Sequence, residues 1–391
     1  MFIYTHYMLI FIRWKTIQNL FNLLFTYAIV KSLYLTISII ALILLGSFIF
    51  YQTTRLAPEI PKTKCETLQY ADPQALNLLF FTDKPTAESY LEAFFSIPPF
   101  DTHRNAFNIY QTNEPVTCTL YKEIALFCHS KELLQMAAEC PNDFIIVPKV
   151  EPVHIRSSSF QNILSINLNN PRTAIAHEFA HAFLNLDEEY VPATPSFLSK
   201  NCKATCTSFN GLEDSCKQGC SSSDRYRSID KGLMRTLSVA TFGSFNEQLF
   251  TNALQLHQAP PLTGNIVQED CAEQYYYLFH LYRTEDTIQI LEKTKEQGCA
   301  SFPNVGDLRV SLSSDLGEIL FLSNFDRIYT DTQLPGAETL EGEVFEFVDR
   351  DFYLRIPDNI DASTLTITDE NDKVLTAITL KDEGARLCTY A

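Results

Sequence analysis

Two imidazoles and a carboxylate stand at His177, Glu178 and His181, and three more acids follow at Asp187, Glu188 and Glu189. On an α-helix, residues four apart project from one face with Cβ atoms about 5–6 Å apart, so His177 and His181 can share a metal ion. Glu178 is rotated off that line. It stays outside the coordination shell and can take a proton from a water on the metal, the division of labour in metal-assisted hydrolysis. The same short pattern also fits a helix with two ordinary histidines, and the acidic cluster beyond it is what favours a metal. A helix running straight on past His181 would carry residue 189 about 12 Å further along its axis, so the chain must break and turn back before an acid can join. Asn185 is the expected breaker, since asparagine enters the left-handed conformation readily. At the other end, Asn170 is suited to cap the helix and Pro171 to occupy its first position. Once the chain has reversed, Asp187, Glu188 and Glu189 each offer a third ligand. Two imidazoles and one carboxylate leave Zn²⁺ with a net charge near +1 and one open position.

The stretch from 177 to 190 resembles the signature of the IgA-peptidase family of zinc metallopeptidases at His177, Glu178, Phe179, His181, Phe183, Leu186, Glu189 and Tyr190. Upstream, Leu76-Asn77-Leu78-Leu79-Phe80, Pro99-Phe100 and Phe107-Asn108-Ile109-Tyr110 are similar to that family's first strand and following segment. Ala180 and Leu184 depart from the pattern where it has glycine, and Glu188 where it has aspartate. The resemblance implies a metzincin-like zincin: a Zn²⁺-dependent enzyme that hydrolyses peptide bonds, with Glu178 as the base. Aligned on the family, the third ligand is Glu189; aligned on the broader metzincin spacing it is Asp187, and Glu189 is preferred. The resemblance also implies that the substrate adds as an extra β-strand to an edge strand, for which 163–168 is the candidate. Gly232-Leu233-Met234-Arg235-Thr236 resembles the methionine turn of such enzymes, in which a thioether packs against the imidazoles rather than coordinating the ion. Phe242 to Glu247 resembles the start of the last peptidase helix. Attack on a carbonyl builds negative charge that needs a stabiliser, and Tyr190, Tyr226 and Arg235 are candidates by type and position. His103, His129, His154, His257 and His280 lack ligand spacing and are assigned to structure or surface.

From residue 32 to 52 no charged side chain occurs, and about 20 such residues span a bilayer core. With Arg13, Lys15 and Lys31 before it, this segment is expected to be a single transmembrane helix with a cytoplasmic amino terminus and the remainder extracytoplasmic. No small-x-small cleavage site follows the run, which favours an uncleaved anchor over a signal peptide. All 11 cysteines lie beyond it, as an oxidising compartment would favour. Cys202, Cys206, Cys216 and Cys220 have paired one-turn spacings that two disulfides between antiparallel helical turns would satisfy. A structural zinc site is the competing assignment. The odd count leaves one thiol over within the chain. Residues 1–64 carry about +5 and the chain as a whole −17, so the remainder is strongly acidic, which disfavours nucleic acid as a partner.

Apolar runs at 76–81, 107–110, 144–147 and 163–168 alternate with helical patterns at 87–95 and 131–138, as in the mixed α/β upper lobe of a zincin. After Pro260-Pro261 the pattern changes to short alternating runs at 275–282, 287–293, 308–312, 318–322, 344–347, 352–356, 365–368 and 374–380; the second of these also fits a short helix ending at Gly298. The expected fold class is therefore an α/β (α+β) zincin-like catalytic domain with a C-terminal all-β sandwich and an N-terminal transmembrane helix. The expected domains are 1–64 (tail, anchor and linker), 65–262 (metallopeptidase) and 263–391 (sandwich). The expected function is a membrane-anchored zinc endopeptidase acting on a protein or peptide. A surface adhesion or binding protein with a degenerate zincin lobe is the alternative.

Overall fold

Uninterrupted apolar runs make strands that can be buried on both faces, and four of them form the centre of a mixed α/β fold built mostly of strands. In chain order the first strands are β1 (Glu66–Gln69), β2 (Leu76–Phe81), β3 (Phe107–Thr112), the small hairpin β4 (Thr119–Tyr121) and β5 (Ala125–Phe127), then β6 (Phe144–Lys149), β7 (Ser157–Phe160) and β8 (Ile163–Asn167). β3, β2, β6 and β8 run parallel side by side, with β1 antiparallel on β3 and β7 antiparallel on β8. Helix α1 (Lys84–Phe94) starts where the Asp83 carboxylate accepts the Thr86 amide, and α2 (Lys131–Ala137) where the Ser130 hydroxyl accepts that of Leu133. Alternate strand residues feed opposite faces. Leu78, Phe80, Ile146, Leu164 and Ile166 enter one core with α1 and with α3 (Ala174–Leu184), whereas Leu79, Phe81, Ile145, Val147 and Ile163 enter another with α2.

The computed structural model describes residues 65–193, 199–258, 271–300, 308–314, 317–323, 327–358, 363–369 and 371–380, with 42 and 46. The chain divides into two units, Met1–Pro61 and Lys62–Ala391. The anchor expected at 32–52 lies outside the described residues except for Leu42 and Gly46, both helical. Among the described residues no helix is long and apolar enough to cross a membrane.

After α3 come the hairpin β9 (Lys217–Cys220) and β10 (Ser222–Arg227) and the long helix α4 (Ser244–Gln258). The later strands are β11 (Tyr275–Arg283), β12 (Ile288–Gln297), β13 (Leu308–Ser314), β14 (Gly317–Ser323), β15 (Arg327–Thr332), β16 (Glu341–Glu346), β17 (Arg350–Pro357), β18 (Thr364–Thr368) and β19 (Val374–Thr379). β12-β11-β17 and β14-β13-β18-β19 form two small antiparallel sheets that share a core containing Phe279, Leu281, Val310, Leu312, Leu354 and Ile367. The run at 287–293 is a strand, not the short helix it also fits.

Two findings correct the expected division at 262/263. First, β15 and β16 join the main sheet, whose full order is β1-β3-β2-β6-β8-β7-β15-β16. Second, β11 serves two cores: Tyr276 and Leu278 pack with α2 and the main sheet, while Tyr277 and Phe279 face the small sheets. Strand periodicity shows that a face is apolar but not what covers it, so it could not reveal this sharing. The expected substrate edge at 163–168 is likewise corrected. β8 lies inside the sheet between β6 and β7, and the strand outside it, Ser157-Ser158-Ser159-Phe160, has almost no apolar signal.

Five disulfides join Cys65–Cys140, Cys118–Cys128, Cys202–Cys220, Cys206–Cys216 and Cys271–Cys299. The quartet between 202 and 220 is thus two nested disulfides and not a zinc site. The strands β9 and β10 and a short 3₁₀ turn at Cys206–Phe209 take the place of the expected helical turns. The eleventh cysteine, Cys388, lies outside the described residues.

Candidate metal centre

Helix α3 is buried along its whole length, and an aromatic core fixes it. The Phe179 ring lies 5.0–6.0 Å, centroid to centroid, from those of Phe94, Phe100, Phe107, Phe144 and Phe183. The helix begins later than expected. Thr173 precedes it without a side-chain cap, and Asn170 instead donates to Ser157 Oγ (3.0 Å) and accepts from Thr332 Oγ1 (2.8 Å). Its end is as expected. Asn185 adopts φ 54° and ψ 43°, the Leu186 amide returns to the Ala180 carbonyl (3.3 Å), and the Asn185 amide to that of His181 (3.0 Å).

This reversal fixes the imidazoles. His181 Nδ1 meets the Leu186 carbonyl at 2.6 Å, and His177 Nδ1 meets the Leu233 carbonyl at 3.0 Å. A carbonyl can only accept, so each Nδ1 carries a proton and Nε2 is the ring atom left to face an ion. The two Nε2 atoms are 3.1 Å apart. Glu188 Oε1 lies 3.0 Å from His181 Nε2 and 3.7 Å from His177 Nε2; Asp331 Oδ2 lies 3.3 Å from His177 Nε2 and 3.8 Å from His181 Nε2. All four atoms fall within 4.8 Å of one another. A tetrahedral zinc with bonds of about 2.0–2.1 Å sets its ligand atoms about 3.3 Å apart. Four electron-pair donors converge at that spacing, and Glu188 Oε1, Glu188 Oε2 and Asp331 Oδ2 have no hydrogen-bond donor among the described residues. Such a donor set fits a divalent cation.

The acid that the structure brings to the two imidazoles is Glu188, one residue before the expected third ligand Glu189. Glu189 turns away: its Oε1 accepts from Asn246 Nδ2 (2.9 Å) and Asn201 Nδ2 (3.3 Å), and burial pushes its carboxyl up to about 7. Asp187 is held by its backbone, its amide and carbonyl both bonded to the Asn201 side chain at 2.8 Å, and its carboxylate is not one of the four. Ser221 Oγ donates to the Glu188 carbonyl at 2.8 Å, and the Glu189 amide donates to the Met234 carbonyl at 2.9 Å. These clamps come from distant parts of the chain, so spacing within 187–189 could not choose between the acids. The available sign was chemical, an acid at 188 where the family pattern has aspartate.

Asp331 was not expected at all. It sits on β15 in Ile328-Tyr329-Thr330-Asp331-Thr332, a β-branched and aromatic run whose strand character was a usable signal. Its Oδ1 accepts from the Tyr190 hydroxyl at 2.8 Å. Tyr190 is thus the oxyanion candidate that reaches the cluster. Arg235 instead donates to the Glu189 carbonyl, and Tyr226 lies in β10 opposite Gln218. Met234 is fully buried in the core that holds α3, and its turn supplies the carbonyls that orient His177 and Glu189.

Glu178 is fully buried, and among the described residues neither of its carboxylate oxygens has a hydrogen-bond donor. Burial holds its carboxyl well above the usual range, and the charges of Asp331 and Glu188 add to this against the opposing charge of His177. Burial alone would lower His177, but Glu188 and Asp331 outweigh it and hold it well above its ordinary value. Burial and the neighbouring His177 charge push His181 down to about 3. His177, Glu178, His181 and Glu188 are 0% exposed and Asp331 is 1% exposed. A groove of about 540 Å³ is lined by Arg156 and by residues 190–193 and 340–344, and one of its lining residues, Tyr190, is hydrogen-bonded to Asp331 of the cluster.

No protein-family model matches this sequence, and comparison with curated proteins finds no significant relative.

Proposed function

We propose that this chain is a membrane-anchored, extracytoplasmic zinc metalloendopeptidase whose main sheet and α3 form a zincin-like catalytic lobe. The observation that carries this reading is the pairing of a four-donor cation cage with a buried carboxylate, Glu178, that has no hydrogen-bond donor among the described residues. An unpaired acid at full burial costs several kcal/mol if ionised, so a fold keeps one where chemistry needs it. The resemblance of residues 177–190 to the IgA-peptidase signature supports the same class. The five disulfides support an oxidising compartment.

In this reading His177, His181 and Glu188 hold the ion. A bound zinc supplies Lewis acidity, polarising a peptide carbonyl and acidifying water. Glu178, kept proton-hungry by its burial, takes the proton of the attacking water on a carboxylate oxygen and returns it to the leaving amine. The Tyr190 hydroxyl stands at the edge of the cluster, where it can donate to the developing oxyanion. The aromatic packing of Phe179 and the carbonyls of Leu186 and Leu233 keep both rings oriented and in one tautomer.

The second reading, a non-catalytic binding protein with a degenerate zincin lobe, is favoured by one observation: four ligands and full burial describe a closed site. Metal content and cleavage of an unstructured protein substrate separate the two, measured for Glu178→Gln and its parent, each with and without Asp331→Ala. The enzyme reading expects metal in every protein and a loss of cleavage of about 10²–10⁴-fold on removing Glu178. Metal without cleavage in any background would favour the binding protein, and equal cleavage without Glu178 would remove it from the mechanism.

A further inference from the structure

A catalytic zinc site keeps one position open, and here a fourth side chain arrives from more than a hundred residues away to fill it. Asp331 is carried by β15, which lies antiparallel on β7 with Tyr329 opposite Ser159, Thr330 opposite Ser158 and Asp331 opposite Ser157. Without β15, β7 would be the free edge of the sheet beside α3, the kind of edge to which an extended peptide adds through its main chain. β15 occupies it as such a peptide would. The strand also grips the site, with the Tyr329 ring stacked on His181 at 4.1 Å and 14° and its hydroxyl donating to Asn185 Oδ1 at 2.9 Å. β16 returns against β15 with Gly342 opposite Asp331. A side chain at 342 would overlap the Asp331 carboxylate and the Tyr190 hydroxyl, so the glycine lets the two lie where they do.

We propose that the β15–β16 hairpin is an internal pseudosubstrate: β15 occupies the substrate's edge of the sheet, and Asp331 closes the coordination position the reacting carbonyl needs. The chain is latent until the hairpin is withdrawn. This rests on the peptidase reading and accounts for the one feature that opposes it, the burial of Glu178 beyond reach of any substrate. A substrate or activator that captures the free edge of β7 would take Asp331 away with the strand, and Tyr190 would lose its present acceptor at the moment an oxyanion needs its hydroxyl.

The test compares the full chain with Asp331→Ala and with the near-isosteric Asp331→Asn, which guards against a folding defect; thermal unfolding identifies one. Each protein is loaded with zinc or cobalt and titrated with acetohydroxamate, a small chelator that needs a vacant position. The expected result is metal in all three, hydroxamate binding at least tenfold tighter in the two variants than in the parent, and a change in the visible cobalt spectrum on adding hydroxamate to the variants only. Equal affinity in the parent overturns the proposal, because the position is then already open. Loss of metal from folded variants also overturns it, because Asp331 is then an obligatory ligand. The two readings fail differently. Variants that admit hydroxamate but cleave nothing leave the closure standing and remove the peptidase. A parent that cleaves peptide and admits hydroxamate as readily as the variants does the reverse.

Discussion

At the scale of single residues, the cluster is a competition between burial and charge. Glu188 and Asp331 hold the pKa of His177 well above its ordinary value, although burial alone would lower it. A cation at Nε2 competes with a proton there, so its affinity rises with pH. We expect binding of the ion to release protons and its association constant to rise with pH. Calorimetry in two buffers of different ionisation heat checks this, and identical apparent heats in both would rule it out. The same competition separates the neighbouring acids. Glu189 has two amide donors and no place in the cage, whereas Glu188 has imidazoles before it and no hydrogen-bond donor among the described residues.

At the scale of elements, a loop tied to disulfides steers a helix-borne site. The Cys202–Cys220 bridge sits beside Asn201 and Ser221, which hold the backbones of Asp187 and Glu188. Replacing both cysteines by serine is expected to weaken metal affinity about 10–100-fold, as loss of outer supports usually does, with little change in secondary structure. A competitive chelator titration with circular dichroism measures both, and unchanged affinity would mean the clamp holds without its bridge. These supports also explain how much of the site was legible. His177, Glu178, His181 and the break at Asn185 are local and periodic, so the sequence carries them directly. The choice of Glu188 depends on Asn201, Ser221 and Asn246, which no spacing rule connects to it. β7 is three serines and a phenylalanine, and β15 carries an acid in mid-strand, so neither gave a clear apolar pattern. Most other strands were legible because their apolar runs are long or regular.

At the scale of the molecule, the later strands are parts of the main fold and not an appendage. β15 and β16 extend the main sheet, β11 faces two cores, and buried Arg355 of β17 donates to Asn142 Oδ1 at 2.6 Å and to the Leu134 carbonyl of α2 at 3.3 Å. A chain stopped at residue 262 therefore exposes the β7 edge and the apolar surface around α2. Such a chain is expected to aggregate, where a modular peptidase domain would remain a soluble monomer. Size-exclusion chromatography and thermal unfolding of the truncated and full chains decide it, and a cooperative, monomeric truncated protein would sink the claim.

The 143-residue sequence separation of Glu188 and Asp331 also imposes an order in time. A ribosome adding roughly 5–20 residues per second delivers His177, His181 and Glu188 some 7–30 s before Asp331. During that interval the nascent polypeptide carries both imidazoles and Glu188 but not Asp331. On the proposed pseudosubstrate reading, the strand that closes the site is thus the part of it made last.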